Sequence, residues 1–198
     1  MVFRVALTFD AEHPDRPWRP GGTERVLEML AARDCPASFF IQGRWAEAEP
    51  SVVRSIAGDG HLVGNHSHYH ARMPSLTRAG LVADVRAAER VIRRLTGQDP
   101  RPWFRCPFGA GSGDPAIAAA LQSIGYRDVG WDIDVADWRI AASGRGVARD
   151  VVTRTVAHGD AAVILLHPWT TTTGIALPAI IEKLRATGAT FVRLDALA

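Results

Sequence analysis

The chain reads as an α/β protein built on a mainly parallel sheet, open or closed into a barrel. Three observations carry this. Short apolar runs alternate with helical patterns along the chain, and repeated strand–helix units of this kind assemble parallel sheets. No repeat, low-complexity segment or linker interrupts the 198 residues, so residues 1–198 read as one domain. Ionisable residues recur directly after the apolar runs, where a parallel α/β barrel gathers its functional groups.

The elements follow in order. Phe3–Phe9 is the first strand-like run. Thr23–Arg33 reads as a helix that opens on a Thr cap and carries Val26, Leu27 and Leu30 as an i, i+3, i+4 stripe. Ala37–Ile41 is the second strand, Pro50–Ala57 a short helix and Leu62–Asn65 the third strand. The longest helix is expected over Leu76–Leu95, with Leu81, Val85, Ala88, Val91 and Ile92 on one face. Trp103–Phe104 is a brief strand, followed by a helix over Asp114–Ile124 that begins on Asp-Pro, a good helix start. A strand over Asp128–Trp131 and a helix over Arg145–Ala157 come next. Strand Ala162–Leu166, helix Leu177–Ala186 and strand Thr190–Arg193 complete the chain. Gly58, Gly125 and Gly188 stand just past three helix ends, where a left-handed residue is wanted.

Composition narrows the class. A hydrophobic fraction of 47% and a charged fraction of 22% are ordinary for a globular protein. A chain of this length buries enough core to need no disulfides. Cys35 and Cys106 form no CxxC pair and read as reduced and buried. No apolar run reaches the roughly 18 residues of a membrane span. Val2 to Phe9 lacks the pattern of a signal peptide, so the chain as it stands is expected in the cytoplasm, or outside the cell if it was cut from a longer one. The net charge is +2 and Lys183 is the one lysine; the arginines are scattered, and Arg44, Arg72, Arg93 and Arg94 read as solvated surface. No nucleic-acid partner is expected from that distribution. The sequence carries no signal for an oligomeric state.

The polar residues cluster on this map. Asp10 and Glu12 follow the first strand, His66 and His70 the third, and Arg105 the fourth. Asp134 and Asp137 follow the fifth and His167 the sixth, so five strand ends deliver ionisable residues to one rim. In His66-Ser67-His68-Tyr69-His70 two histidines stand four apart, a spacing that can set both imidazoles on one side of a helical turn as metal ligands, with His68 turned away. Asp10-Ala11-Glu12 supplies two carboxylates, one able to ligate a cation and the other to act as a base, with His13 and Asp15 in the same loop as substitutes. His167 ends an apolar strand, poised to give or take a proton, and Trp169 beside it either stacks on a sugar or packs. Asp132, Asp134 and Asp137 lie between Trp131 and Trp138 as partners for an Arg or a His.

Five segments in order resemble the motifs of polysaccharide deacetylases, carbohydrate esterase family four with the NodB-homology domain. They are Thr8-Phe9-Asp10, His66-Ser67-His68-Tyr69-His70, Arg105-Cys106-Pro107-Phe108-Gly109, Asp134-Val135-Ala136-Asp137-Trp138 and Leu165-Leu166-His167. The resemblance spans roughly residues 4 to 195. It implies a distorted (β/α) barrel with seven parallel strands, and one divalent metal, commonly zinc, with cobalt, nickel or manganese as alternatives. By position His66 and His70 match ligands, Asp10 the general base, Arg105 the arginine that tethers it, His167 the general acid and Asp137 the acid that tunes it. Phe108 matches a position, usually Tyr, whose backbone N–H binds the oxyanion. The family has a second Asp directly after the base as the metal ligand; here that position is Ala11, and Glu12 is expected to take the role. The loop from Glu12 to Pro20 is expected to cover part of the groove.

The resemblance implies removal of an acetyl or formyl group from an N-acylated amino sugar or polysaccharide. Two alternatives stay open: a related C–N hydrolase acting on a small non-sugar amide, and a non-catalytic carbohydrate-binding relative.

Overall fold

Strand β1 (Phe3–Ala11) is buried along its last seven residues, so it shows no alternation of exposed and covered side chains. A strand covered on both faces belongs at the centre of a parallel sheet. A computed structural model describes residues 2–13, 20–139 and 141–197. After β1 come α1 (Gly22–Ala31), β2 (Ser38–Ile41), α2 (Gly43–Ala48), α3 (Pro50–Gly58), β3 (Leu62–Asn65) and α4 (Arg78–Thr96). Then follow β4 (Trp103–Phe104), α5 (Pro115–Gln122), β5 (Arg127–Asp128), β6 (Ile133–Asp134) and α6 (Gly144–His158). β7 (Ala162–Leu166), α7 (Thr171–Ala186) and β8 (Ala189–Phe191) finish the fold. The strand order is β5-β4-β3-β2-β1-β7-β6, and β8 pairs with the start of β1. Every ladder is parallel.

This order forces curvature. β5 and β6 lie at opposite ends of the seven-strand path, yet only residues 129–132 separate them in sequence. In a flat sheet six steps of about 4.8 Å would hold them about 29 Å apart. The connecting chain, fully extended, reaches about 17 Å. The path therefore curls into a distorted barrel with a seam between its two end strands.

Arg105 closes that seam from inside. It is fully buried, and its Nε and Nη2 donate to the Val129 and Gly130 carbonyls at 3.1 and 3.0 Å. Its Nη1 donates to Thr8 Oγ1 at 2.9 Å and to Asp10 Oδ1 at 2.8 Å. The guanidinium also lies over the Phe40 ring, 4.0 Å from its centroid. An enclosed cation survives because carbonyls, a hydroxyl and a carboxylate satisfy it. Arg105→Met is expected to destabilise the fold by about 3–5 kcal/mol, because Asp10 Oδ1 and the two seam carbonyls lose their buried donor. Denaturant unfolding at neutral pH measures this, and a loss below about 1 kcal/mol, the scale of an exposed pair, would refute the account.

The α4 face reads as expected: Leu81, Val85, Ala88, Val91 and Ile92 are all buried. Other elements differ from the sequence reading. Thr23 does not cap α1 but lies inside it, buried, and the helix starts after Gly21, whose φ is +77°. A Cβ on Gly22 would stand 3.0 Å from the Pro168 carbonyl, so close backbone approach sets this start. The short helix α2 was not anticipated, since six residues carry too little periodicity. The expected strand over Asp128–Trp131 is instead two strands of two residues on opposite edges. Helix α7 begins at Thr171 rather than Leu177, capped by the Thr170 hydroxyl and running through Pro178. Gly125 and Gly188 adopt positive φ as expected, whereas Gly58 lies within α3 and Gly60 takes the left-handed turn. Among the described residues, no helix is long and apolar enough to cross a membrane.

Candidate active site

Alternation along β1 sets the first two carboxylates. Residues i and i+2 of an extended segment share a face, so Asp10 and Glu12 point together while Ala11 turns into the apolar core, fully buried. Asp10 is tied through Oδ1 to Arg105, and its Oδ2 stands 3.5 Å from His66 Nε2. Glu12 Oε2 is 3.4 Å from His66 Nε2 and in closer contact with His70 Nε2. The Glu12 Oε2 is buried, and among the described residues no hydrogen bond satisfies it. Burial alone would raise the Glu12 carboxyl, but the two imidazoles outweigh it and hold the group far below the usual carboxylate range.

The segment between the two histidines is not the helical turn that the i, i+4 spacing suggested. It is an irregular loop in which Ser67 and His70 take φ of +67° and +57°. The Asn65 side chain accepts from the Ser67 N–H at 2.9 Å, and Ser67 Oγ accepts from the His70 N–H at 3.0 Å. These local bonds hold the imidazoles with ring centres 5.0 Å apart. His66 Nδ1 lies 3.0 Å from the Arg105 carbonyl, an arrangement that places the proton on Nδ1 and leaves the Nε2 lone pair facing Glu12. His68 is turned from the cluster and buried beside Gly43, where a Cβ would stand 2.3 Å from its Nδ1.

Asp84, on α4, was missed. It is buried, and its two oxygens accept from the His68 and Tyr69 N–H groups at 3.0 Å each. The signal was present: an acid beside Val85 on the apolar stripe of a helix, between Leu81 and Ala88. Such an acid is retained only where polar partners meet it. Asp84→Ala is expected to weaken metal binding by roughly 10–100-fold, the usual cost of losing an outer-shell support. Competition with a chelator on the metal-free protein measures it, and unchanged affinity would rule the role out.

Across the groove, His167 Nδ1 lies 2.8 Å from Asp137 Oδ1, and the His167 N–H donates to Asp137 Oδ2 at 2.8 Å. The Thr173 hydroxyl donates to the same Oδ2. Burial acts to lower the His167 pKa, but the adjoining Asp137 carboxylate reverses the sign and raises it to about 9. His167 Nε2 faces Glu12 Oε1 at 4.0 Å. Asp134 does not reach His167; its Oδ1 accepts from the Ala136 N–H at 2.7 Å and shapes the turn that presents Asp137. Cys106 is buried, and burial with nearby Asp128 pushes its thiol well above the usual range, so it is inert.

A groove of about 410 Å³ joins these groups. Phe108, Trp131, Trp138 and Trp169 wall it. Phe108 has φ +58° and is 53% exposed, with its ring centre 4.4 Å from that of His70. His13 lies beside the site, its N–H donating to Gln42 Oε1 at 2.8 Å. Asp15 and the expected cover of the groove by the Glu12–Pro20 loop fall largely outside the described residues.

The chemistry of the donor set fits a cation. One ligand atom each from Glu12, His66 and His70 lie within 4.8 Å of one another, and the Glu12 oxygen lacks any other partner. One carboxylate and two imidazoles leave coordination positions open, the pattern of a catalytic rather than a structural site.

A family model described as polysaccharide deacetylase matches residues 3–129. The chain belongs to the polysaccharide deacetylase family. It is 32% identical over 199 residues to a peptidoglycan-N-acetylglucosamine deacetylase of Bacillus cereus, covering 98% of this chain and 67% of that one. Its fold matches a family 4 carbohydrate esterase from Streptomyces lividans with a TM-score of 0.83 at 30% identity, over 96% of this chain and 91% of the other. It also matches a family 4 pseudoenzyme from Bacillus anthracis with a TM-score of 0.87 at 26% identity, over 99% of this chain and 65% of that one. The family is one of metal-dependent deacetylases acting on carbohydrates, and the Glu12, His66 and His70 cluster is where this member can hold a cation.

Proposed function

We propose that this polysaccharide deacetylase removes an acetyl or formyl group from an N-acylated amino sugar or polysaccharide, with a zinc ion held by Glu12, His66 and His70. The observation that carries the reading is that Glu12, two residues past Asp10, brings an unsatisfied carboxylate oxygen to both imidazoles. On this reading Glu12, just past the end of β1 and two residues beyond Asp10, takes the role that Ala11 cannot. When bound, the cation supplies acidification of water and polarisation of the acyl carbonyl.

The remaining work falls to side chains. Asp10 accepts the proton of the attacking water through Oδ2, while Arg105 holds Oδ1 and keeps the carboxylate oriented. The Phe108 backbone N–H donates to the developing oxyanion. His167 passes a proton from Nε2 to the leaving amine, and Asp137 holds the opposite nitrogen. Trp169 is buried, its ring centre 5.9 Å from that of His167, so of the two readings of this residue it packs and walls the groove rather than offering an open face to a sugar. Base and acid thus have separate partners, Arg105 for Asp10 and Asp137 for His167.

The test is acetate or formate release, with metal supplied, from N-acetyl and N-formyl amino sugars, short chitin and peptidoglycan fragments and acetylated xylan. Release that stops on chelation and returns with metal is expected; bound metal without release from any of them would overturn the proposal. One observation favours a second reading, a non-catalytic glycan-binding relative: Ala11 stands where the family has its second Asp, and one similar fold is that of a pseudoenzyme. Metal and glycan binding without turnover is its signature.

A further inference from the structure

Arg72 lies two residues beyond His70, in a segment the sequence presents as solvated surface. The side chain is exposed, but it faces the groove and is the one arginine among the described residues that line it. Its guanidinium carbon sits 4.4 Å from the Phe108 ring centre. The backbone at Arg72 is fixed: its carbonyl accepts from the Ser75 N–H at 2.9 Å and the Ser75 hydroxyl at 2.7 Å, and the next residue, Met73, is fully buried. The charge is therefore held in place by a cation–π contact and an anchored main chain rather than left to sweep through solvent.

No acid among the described residues neutralises it. Among the described residues Arg72 makes no ion pair, whereas the other charges of the groove are engaged. Asp10 is paired with Arg105, Glu12 with the two imidazoles, and Asp134 with a backbone N–H. An oriented guanidinium with no counter-ion among the described residues, beside a groove otherwise lined by aromatic rings, histidines and carboxylates, has the chemistry to receive a planar anion. Its support, Phe108, is also the residue whose N–H faces the reacting carbonyl in the proposed reaction. The anion must then belong to the substrate, within about one sugar of the acyl group.

We propose that Arg72 is a specificity-determining residue that binds a carboxylate on the substrate, so that the preferred substrate is an anionic N-acyl amino sugar rather than a neutral one. This rests on the deacetylase reading above and narrows it.

The experiment compares kcat/KM and dissociation constants on two glycans of equal length. One is built of N-acetylglucosamine alone. The other alternates it with N-acetylmuramic acid, whose lactyl group supplies the carboxylate. The wild type is expected to favour the anionic glycan by roughly five- to tenfold, the scale of a partly exposed charge-assisted pair. Arg72→Gln should bring the ratio near one, chiefly through KM, and Arg72→Glu should invert it. Arg72→Lys should keep part of it. Added salt should erode the wild-type preference but not the ratio of the Gln variant. A wild type without preference, or a Gln variant with an unchanged ratio, overturns the assignment and leaves the deacetylase reading standing. Absence of acetate release from both glycans overturns that reading instead, and the ratio of dissociation constants then decides the role of Arg72 alone.

Discussion

Asp10→Asn should keep the metal and lose turnover by roughly 10²–10⁴-fold, the usual contribution of a positioned general base. Glu12→Ala should lose the metal, and by more than the roughly 10–100-fold that outer-shell changes cost. His70→Ala should match Glu12→Ala. The separation follows from geometry. Asp10 spends one oxygen on Arg105 at 2.8 Å, whereas Glu12 Oε2 has no hydrogen-bond donor and faces both imidazoles. Asparagine at position 10 keeps an oxygen that can accept from Arg105, so the barrel seam is preserved while the basic group is gone. Metal content by mass spectrometry and acetate release on the same samples read the two effects apart. Equal metal loss in all three variants would make Asp10 a ligand and leave the base unassigned.

The second large effect concerns His167. A general acid for amine departure must carry its proton at working pH. Its pKa is raised to about 9 by Asp137 against the opposing effect of burial, so the imidazolium persists through neutrality and is lost as pH rises through that value. The alkaline limb of the rate profile should fall there. Asp137→Asn removes the counter-charge while burial remains, so the limb should move to lower pH, toward or below the ordinary histidine value of about 6.5. His167→Ala should cut amide turnover by roughly 10²–10⁴-fold and affect an activated ester far less, since a good leaving group needs no proton. Amide cleavage at an unchanged rate in His167→Ala would place the acid elsewhere. An unmoved alkaline limb in Asp137→Asn would detach that limb from this pair.

Much of the site could be read from the chain because parallel α/β architecture converts position into place. Asp10, His66, Arg105, Asp137 and His167 each follow a short apolar run, and the strands carry them to one end of the sheet. Glu12 was legible as the carboxylate nearest the gap that Ala11 leaves in the motif, and the folded chain brings its Oε2 to both imidazoles. Asp84 was harder to see, although it broke an apolar stripe, because only the folded chain shows which N–H groups meet a helix side chain. Arg72 read as solvent-exposed, and it is; that it faces the groove depends on a ring contributed by a loop 36 residues away, Phe108.

What the sequence determined by itself was the class of fold, the apolar face of α4, the strand ends that bear chemistry and the residue types gathered there. These follow from local rules: hydrophobic period, turn residues and the alternation of side chains along a strand. Tertiary structure decided the rest. The break of the expected strand Asp128–Trp131 into two edge strands and the start of α1 at a glycine forced by the Pro168 carbonyl depend on contacts between segments far apart in sequence. Arg105 is the clearest case. Nothing in its neighbours along the chain says that its guanidinium will be fully buried between Asp10 and two seam carbonyls, because its partners exist only once the sheet has curled.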